Sequence, residues 1–207
     1  MSIGTKALTA LMRLQASLRG LAHDRRGVAA VEFAFVLPLL LALYFVTMEV
    51  SQAIETSKKV SRVGSMVGDL VTQQQTTTLA EIDAIMQIGE ATLQPYNRSV
   101  GTIVVTAIEI TDEATPNVRV AWSRKLDNGS TGPAAAIGSP TTVPDALNAR
   151  GSFLIRVESQ LDYKPVITWA AEAKPVLGLA AAFDDIQMGE TYYLRPRHVR
   201  TLPCGDC

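Results

Sequence analysis

Between Val28 and Met48 the chain carries 21 consecutive residues of which one, Glu32, is charged. Wound as a helix, this run extends about 30 Å, the thickness of one hydrocarbon core. A helix on the surface of a soluble domain breaks its apolar stripe with charge on the opposite face. The 16 uncharged residues from Phe33 to Met48 leave no such face. The run is also longer than the apolar region of a secretory signal, and Met48-Glu49-Val50-Ser51-Gln52-Ala53 is a poor small-residue cleavage site. It is therefore expected to stay attached as a membrane helix. Lys6, Arg13, Arg19, Arg25 and Arg26 precede it against one acid, Asp24, and Glu49 and Glu55 follow it. Positive residues stay inside, so the N-terminus is expected in the cytoplasm and the bulk of the chain outside it. Leu8, Leu11, Leu14 and Leu18 recur at helical spacing among the bases. The leader is then either an amphipathic helix on the cytoplasmic membrane face or a basic tail.

Glu32 is the residue out of place. A carboxylate costs about 2.5–3.5 kcal/mol at the centre of a membrane span and less near its end, so a chain that keeps one there is expected to use it. It follows Arg25-Arg26-Gly27 and is the fifth residue counted from Val28. Arg26-Gly27 followed by Val28-Ala29-Ala30-Val31-Glu32-Phe33 resembles the processing site of type IV prepilins. The longer run to Leu41 resembles TadE-like and TadG-like pseudopilins of the tight-adherence (Flp, type IVc) pilus system. The close resemblance covers about 30 residues. It implies that a prepilin peptidase cuts after Gly27 on the cytoplasmic face and leaves Glu32 at the fifth position. It also implies a bacterial inner-membrane protein whose partners are that peptidase, the inner-membrane assembly platform and other pilins or pseudopilins. Major Flp pilins are much shorter and often carry Tyr where Phe33 stands, so the resemblance favours a minor pilin active in pilus biogenesis and adhesion. The metal-site domain of long TadG proteins is not matched, because Asp-x-Ser-x-Ser does not occur.

The chemistry of this motif follows from its residues. Gly27 lets a peptidase approach the scissile backbone closely. Cleavage frees the amine of Val28 beside an apolar helix, where a buried ammonium needs a counter-charge. Glu32 of a neighbouring subunit can supply it when helices stack with an axial offset, and such a pair sets register more than it adds stability. The plain alternative is that Glu32 snorkels to the interface. Residues 28–36 would carry this assembly. Pro38 removes one helix hydrogen bond and introduces a kink, or a hinge that eases transfer from bilayer to filament.

From Glu49 to Leu70 a polar stalk continues the helix, with Val50, Ile54, Val60, Val63 and Val67 as its stripe. Gly64 and Gly68 weaken it but allow close packing. Thr78 and Glu81 form a capping box for a second helix from Leu79 to Thr92, ended by Pro95. The period then changes. Thr102–Ile110 reads as a central strand. Val118, Val120 and Trp122 alternate with Arg119, Ala121 and Ser123, and Phe153, Ile155 and Val157 with Leu154, Arg156 and Glu158, as in half-buried antiparallel strands. A weaker fourth strand spans Thr191–Arg195. Asp127–Ala149 is rich in Gly, Pro, Ser and Thr and reads as a long surface loop, with Asn128-Gly129 a possible apex. Pro165–Ala182 is apolar but holds charges and two prolines, so it is a cover for the sheet or a partner-contact surface.

The expected fold is α+β, a long N-terminal membrane and stalk helix packed on a small antiparallel sheet, as in pilins. Its parts are a leader over 1–27, a transmembrane assembly helix over 28–48, a stalk and second helix over 49–95, and a β-rich domain over 96–207. Cys204-Gly205-Asp206-Cys207 closes the chain. In an oxidising compartment this pair can form a small disulfide loop. Free or intermolecular thiols, and metal or redox chemistry, are the other uses open to it.

A net charge of −1 offers no field for nucleic acid. Two histidines far apart give no basis for a zinc site or a His-based triad, so no metal or cofactor is expected. No phosphate loop, nucleophile elbow or paired-carboxylate motif occurs, and His198 lies among Arg195, Arg197 and Arg200 in a basic stretch. A structural role is therefore expected, not an enzyme. The alternative role is a permanently anchored periplasmic binding or scaffolding protein that keeps its leader.

Overall fold

A computed structural model describes residues 27–94, 99–165 and 186–207. The leader before Gly27, the stop at Pro95 and nearly all of the Pro165–Ala182 segment lie outside the described residues. The chain forms two compact units, one ending at Met48 and one running Glu49–Cys207. Helix α1, Val28–Thr72, contributes to both. The second unit adds helix α2, Leu79–Ala91, and strands β1 (Thr102–Ile110), β2 (Val118–Asp127), β3 (Ser130–Pro133), β4 (Phe153–Tyr163) and β5 (Ile186–Leu194). The strands form one antiparallel sheet in the order β3-β2-β1-β4-β5. The class is α+β, with the stalk part of α1 packed on the sheet.

On α1, Val60, Val63, Val67 and Val71 are buried at the 3.6-residue period. Val50 and Ile54, at the start of the expected stripe, are exposed instead. Close approach explains the glycines here. A Cβ on Gly68 would come within 2.6 Å of Leu194, and one on Gly89 of α2 within 2.7 Å of Val67. Helix α1 therefore meets strand β5 at Gly68, and the two helices meet at Gly89, at contacts that no larger residue fits without a shift. Thr78 caps α2 as its sequence requires: its side chain accepts from the Glu81 amide, and Glu81 accepts from the Thr78 amide. Helix α2 stops at Ala91, with Thr92 as its C-cap.

Period-2 alternation places Ile103, Val105 and Ala107 of β1, and Phe153, Ile155, Val157 and Leu161 of β4, in the core shared with the helices. Their neighbours Ile108, Ile110 and Leu154 form a second cluster with Val143 and Leu147. The β2 alternation does not stay on one face. A bulge pairs Ala107 with Trp122 but Ile108 with Val120, leaving Ala121 as the extra residue. Trp122 thus joins the helix-side core while Val118 joins the second cluster.

The segment read as a surface loop, Asp127–Ala149, is partly ordered structure. Asn128 and Gly129 adopt φ of 51° and 73°, as a two-residue hairpin turn needs, and β3 returns against β2. A 3-10 turn at Asp145–Leu147 follows, and its Leu147 packs on the second cluster. The fourth strand of the sequence is the fifth here, and it starts at Ile186, not Thr191. An edge strand with few buried side chains carries too weak a pattern to mark its own start.

Between α2 and β2, Arg124 donates two hydrogen bonds of 2.8 Å to the two carboxylate oxygens of Asp83. This fork holds the Asp83 carboxyl below its ordinary value of 3.8, against a smaller opposing effect of burial. The stability the pair contributes is present above 3.8, and it is lost as pH falls through the lowered folded value. Both side chains keep some exposure, so its size is about 1 kcal/mol. Denaturation of Asp83→Asn should show a weaker dependence on pH below 3.8 than the unaltered chain does. Equal slopes would mean the pair contributes nothing.

Candidate assembly segment

The candidate site is the front of α1. Gly27 precedes the helix, and a Cβ there would meet nothing within 4 Å. Among the described residues nothing crowds its backbone. Val28 begins α1 and is 48% exposed. Glu32 lies four residues on, one turn further along the same helix face. Its carboxylate is the one negative charge on this apolar part of the helix. Phe33 is 61% and Phe35 79% exposed, as are the long side chains of Leu39, Leu40 and Leu43. Among the described residues no protein atom covers this surface well, and water is a poor partner for it.

This helix is long and apolar enough to cross a membrane, and the most apolar 18 residues of it have no buried member. Pro38 stands inside it, and the helix continues to Thr72. The missing N–H of Pro38 leaves the Ala34 carbonyl without its usual helical donor. Near the far end Tyr44 and Phe45 meet edge to face at 5.5 Å, and Thr47 bonds back to the Leu43 carbonyl at 2.8 Å. Aromatic rings near the end of a candidate span suit a boundary between lipid and water.

Residues 27–63 match the family model described as TadE-like protein. Over these residues the front of the chain is similar to the TadE-like family. The match covers Gly27, Val28, Glu32, Phe33 and Pro38 and runs into the stalk as far as Val63. It says nothing of the sheet. No curated protein and no solved structure matches the chain.

The structure brings two further groups to notice. Glu49 begins the second unit and is 2% exposed. Tyr163, at the end of β4, donates to it from its hydroxyl at 2.5 Å, and both are buried. A buried carboxylate needs donors, and this one fixes the start of the stalk against the sheet. The only sequence signal was that Tyr163 prolongs the inward series of β4, while Glu49 looked like an ordinary charge beyond the span. Cys204 and Cys207 are joined in a disulfide. His198, Arg195 and Arg200 are exposed, and Arg197 pairs with Asp69 of α1.

Proposed function

We propose that this TadE-like protein is a structural minor pilin or pseudopilin of a Tad (Flp, type IVc) pilus. It enters the inner membrane with its N-terminus in the cytoplasm. A prepilin peptidase then cuts after Gly27, and the helix from Val28 onward joins the assembly platform and other pilins. The Glu49–Cys207 unit is exported and serves pilus biogenesis and surface adhesion. It does no catalysis and binds no nucleic acid.

One observation carries this proposal. The TadE-like match starts at the glycine of Arg-Gly-Val-Ala-Ala-Val-Glu-Phe, with the acid at the fifth position after it. The bare apolar surface of the helix supports the same role, because it needs lipid before assembly and neighbouring helices after it.

The test is the N-terminal residue and intact mass of the protein taken from membranes, with and without the prepilin peptidase. The expected result is a new terminus at Val28 that disappears when the peptidase is absent. An intact leader in both strains would overturn the proposal and leave a fixed single-pass anchor.

A further inference from the structure

The last eleven residues cross the junction between the two helices and are tied to it at several points. The Arg197 amide donates to the Thr72 carbonyl at the end of α1, at 2.9 Å. Leu202 is 1% exposed, and its carbonyl accepts from the Trp122 indole at 2.9 Å. Thr77 then runs beside Cys204 as a short parallel bridge: its amide donates to Pro203 and its carbonyl accepts from Gly205. Last, Asp206 accepts from the Leu79 amide at 2.7 Å.

That final bond completes the start of α2. A helix leaves its first amides without internal partners. The capping box of Thr78 and Glu81 fills the amides of Thr78 and Glu81 but not that of Leu79. Asp206 takes it from 127 positions away and adds a negative charge at the positive end of the helix. Asp206 also acts electrostatically on Arg124, which holds α2 to β2. Yet Gly205, Asp206 and Cys207 are exposed, and an exposed irregular segment opens readily unless tied down. Here the tie is the disulfide from Cys204 to Cys207, which encloses Asp206.

We propose that this disulfide is a redox latch. By closing the loop around Asp206 it holds that carboxylate on the Leu79 amide and fastens the segment 204–207 to the helix junction. Oxidation therefore completes the domain, and reduction releases its last turn. The oxidant is a disulfide, R–S–S–R, as in oxidised glutathione or a thiol–disulfide oxidoreductase. One cysteine thiolate attacks it to form a mixed disulfide and expels one thiolate, R–S⁻. The second cysteine thiolate displaces the other R–S⁻. Two protons leave the cysteines and two thiols R–SH are produced. Cys207 is exposed, so this exchange can reach the pair.

The test is amide hydrogen exchange on the full chain in mild detergent, oxidised and after reduction with dithiothreitol, for the unaltered protein, Cys207→Ser and Asp206→Ala. Reduction and Cys207→Ser should each speed exchange at Leu79 about fivefold, the factor expected for loss of one helix cap. Thr77 and Gly205 should follow. Oxidised Asp206→Ala should already exchange fast at Leu79, and reduction should add nothing there. Unchanged exchange at Leu79 on reduction would overturn the latch. So would an Asp206→Ala chain that keeps slow exchange while oxidised and loses it on reduction, because the disulfide would then act without the carboxylate.

Discussion

Trp122→Ala is expected to destabilise the Glu49–Cys207 unit by about 3–5 kcal/mol, the usual cost of removing a large buried aromatic. Small domains have only about 5–15 kcal/mol in total, so much of the folded margin would go. Trp122 is 3% exposed and sits where three parts meet. Its ring belongs to the helix-side core, it is paired with Ala107 beside the bulge, and its N–H holds the Leu202 carbonyl. Trp122→Phe separates these roles. It keeps most of the ring and leaves that carbonyl without its indole donor, at about 1–3 kcal/mol. Urea denaturation of the full chain in mild detergent, followed by circular dichroism, measures both. A Trp122→Ala loss below about 1 kcal/mol would contradict a role at the centre of the core.

Glu32→Ala is expected to abolish incorporation into the pilus while leaving cleavage after Gly27 intact. The two steps read different features. If the proposed cut is made, the peptidase would meet the backbone at Gly27, which no side chain among the described residues crowds. Assembly would bury the new ammonium of Val28, and Glu32 is the one charged residue between Val28 and Met48 that can answer it. Leaving one member of a buried pair alone costs about 3–5 kcal/mol, a factor of about a hundred or more in association. Immunoblots of sheared pili and of membranes report the two steps separately. Glu32→Ala protein that is cut and found in pili at the unaltered level would mean that Glu32 only snorkels to the membrane surface. Loss of the cut as well would place Glu32 in peptidase recognition.

The features legible in the sequence are those that depend on near neighbours. The membrane-length run, the capping box at Thr78, the strand at Thr102–Ile110 and the Asn128-Gly129 turn each follow from a few adjacent residues, where side-chain period and backbone preference act directly. The candidate site belongs to this group: Gly27, Val28, Glu32, Phe33 and Pro38 lie in one stretch, and the structure adds only their exposure. What could not be read there depends on distant residues meeting. The Glu49–Tyr163 bond joins positions 114 apart, the Trp122–Leu202 bond positions 80 apart, and the Leu79–Asp206 bond positions 127 apart. No local pattern encodes such a pair, because either residue alone looks like an ordinary surface charge or core aromatic. The bulge at Ala121 is of the same kind: the residues around it alternate regularly, and only pairing with β1 shows which face each one takes. Strand order and the seating of the tail come last, because they are set by which buried surfaces fit together once the chain has collapsed.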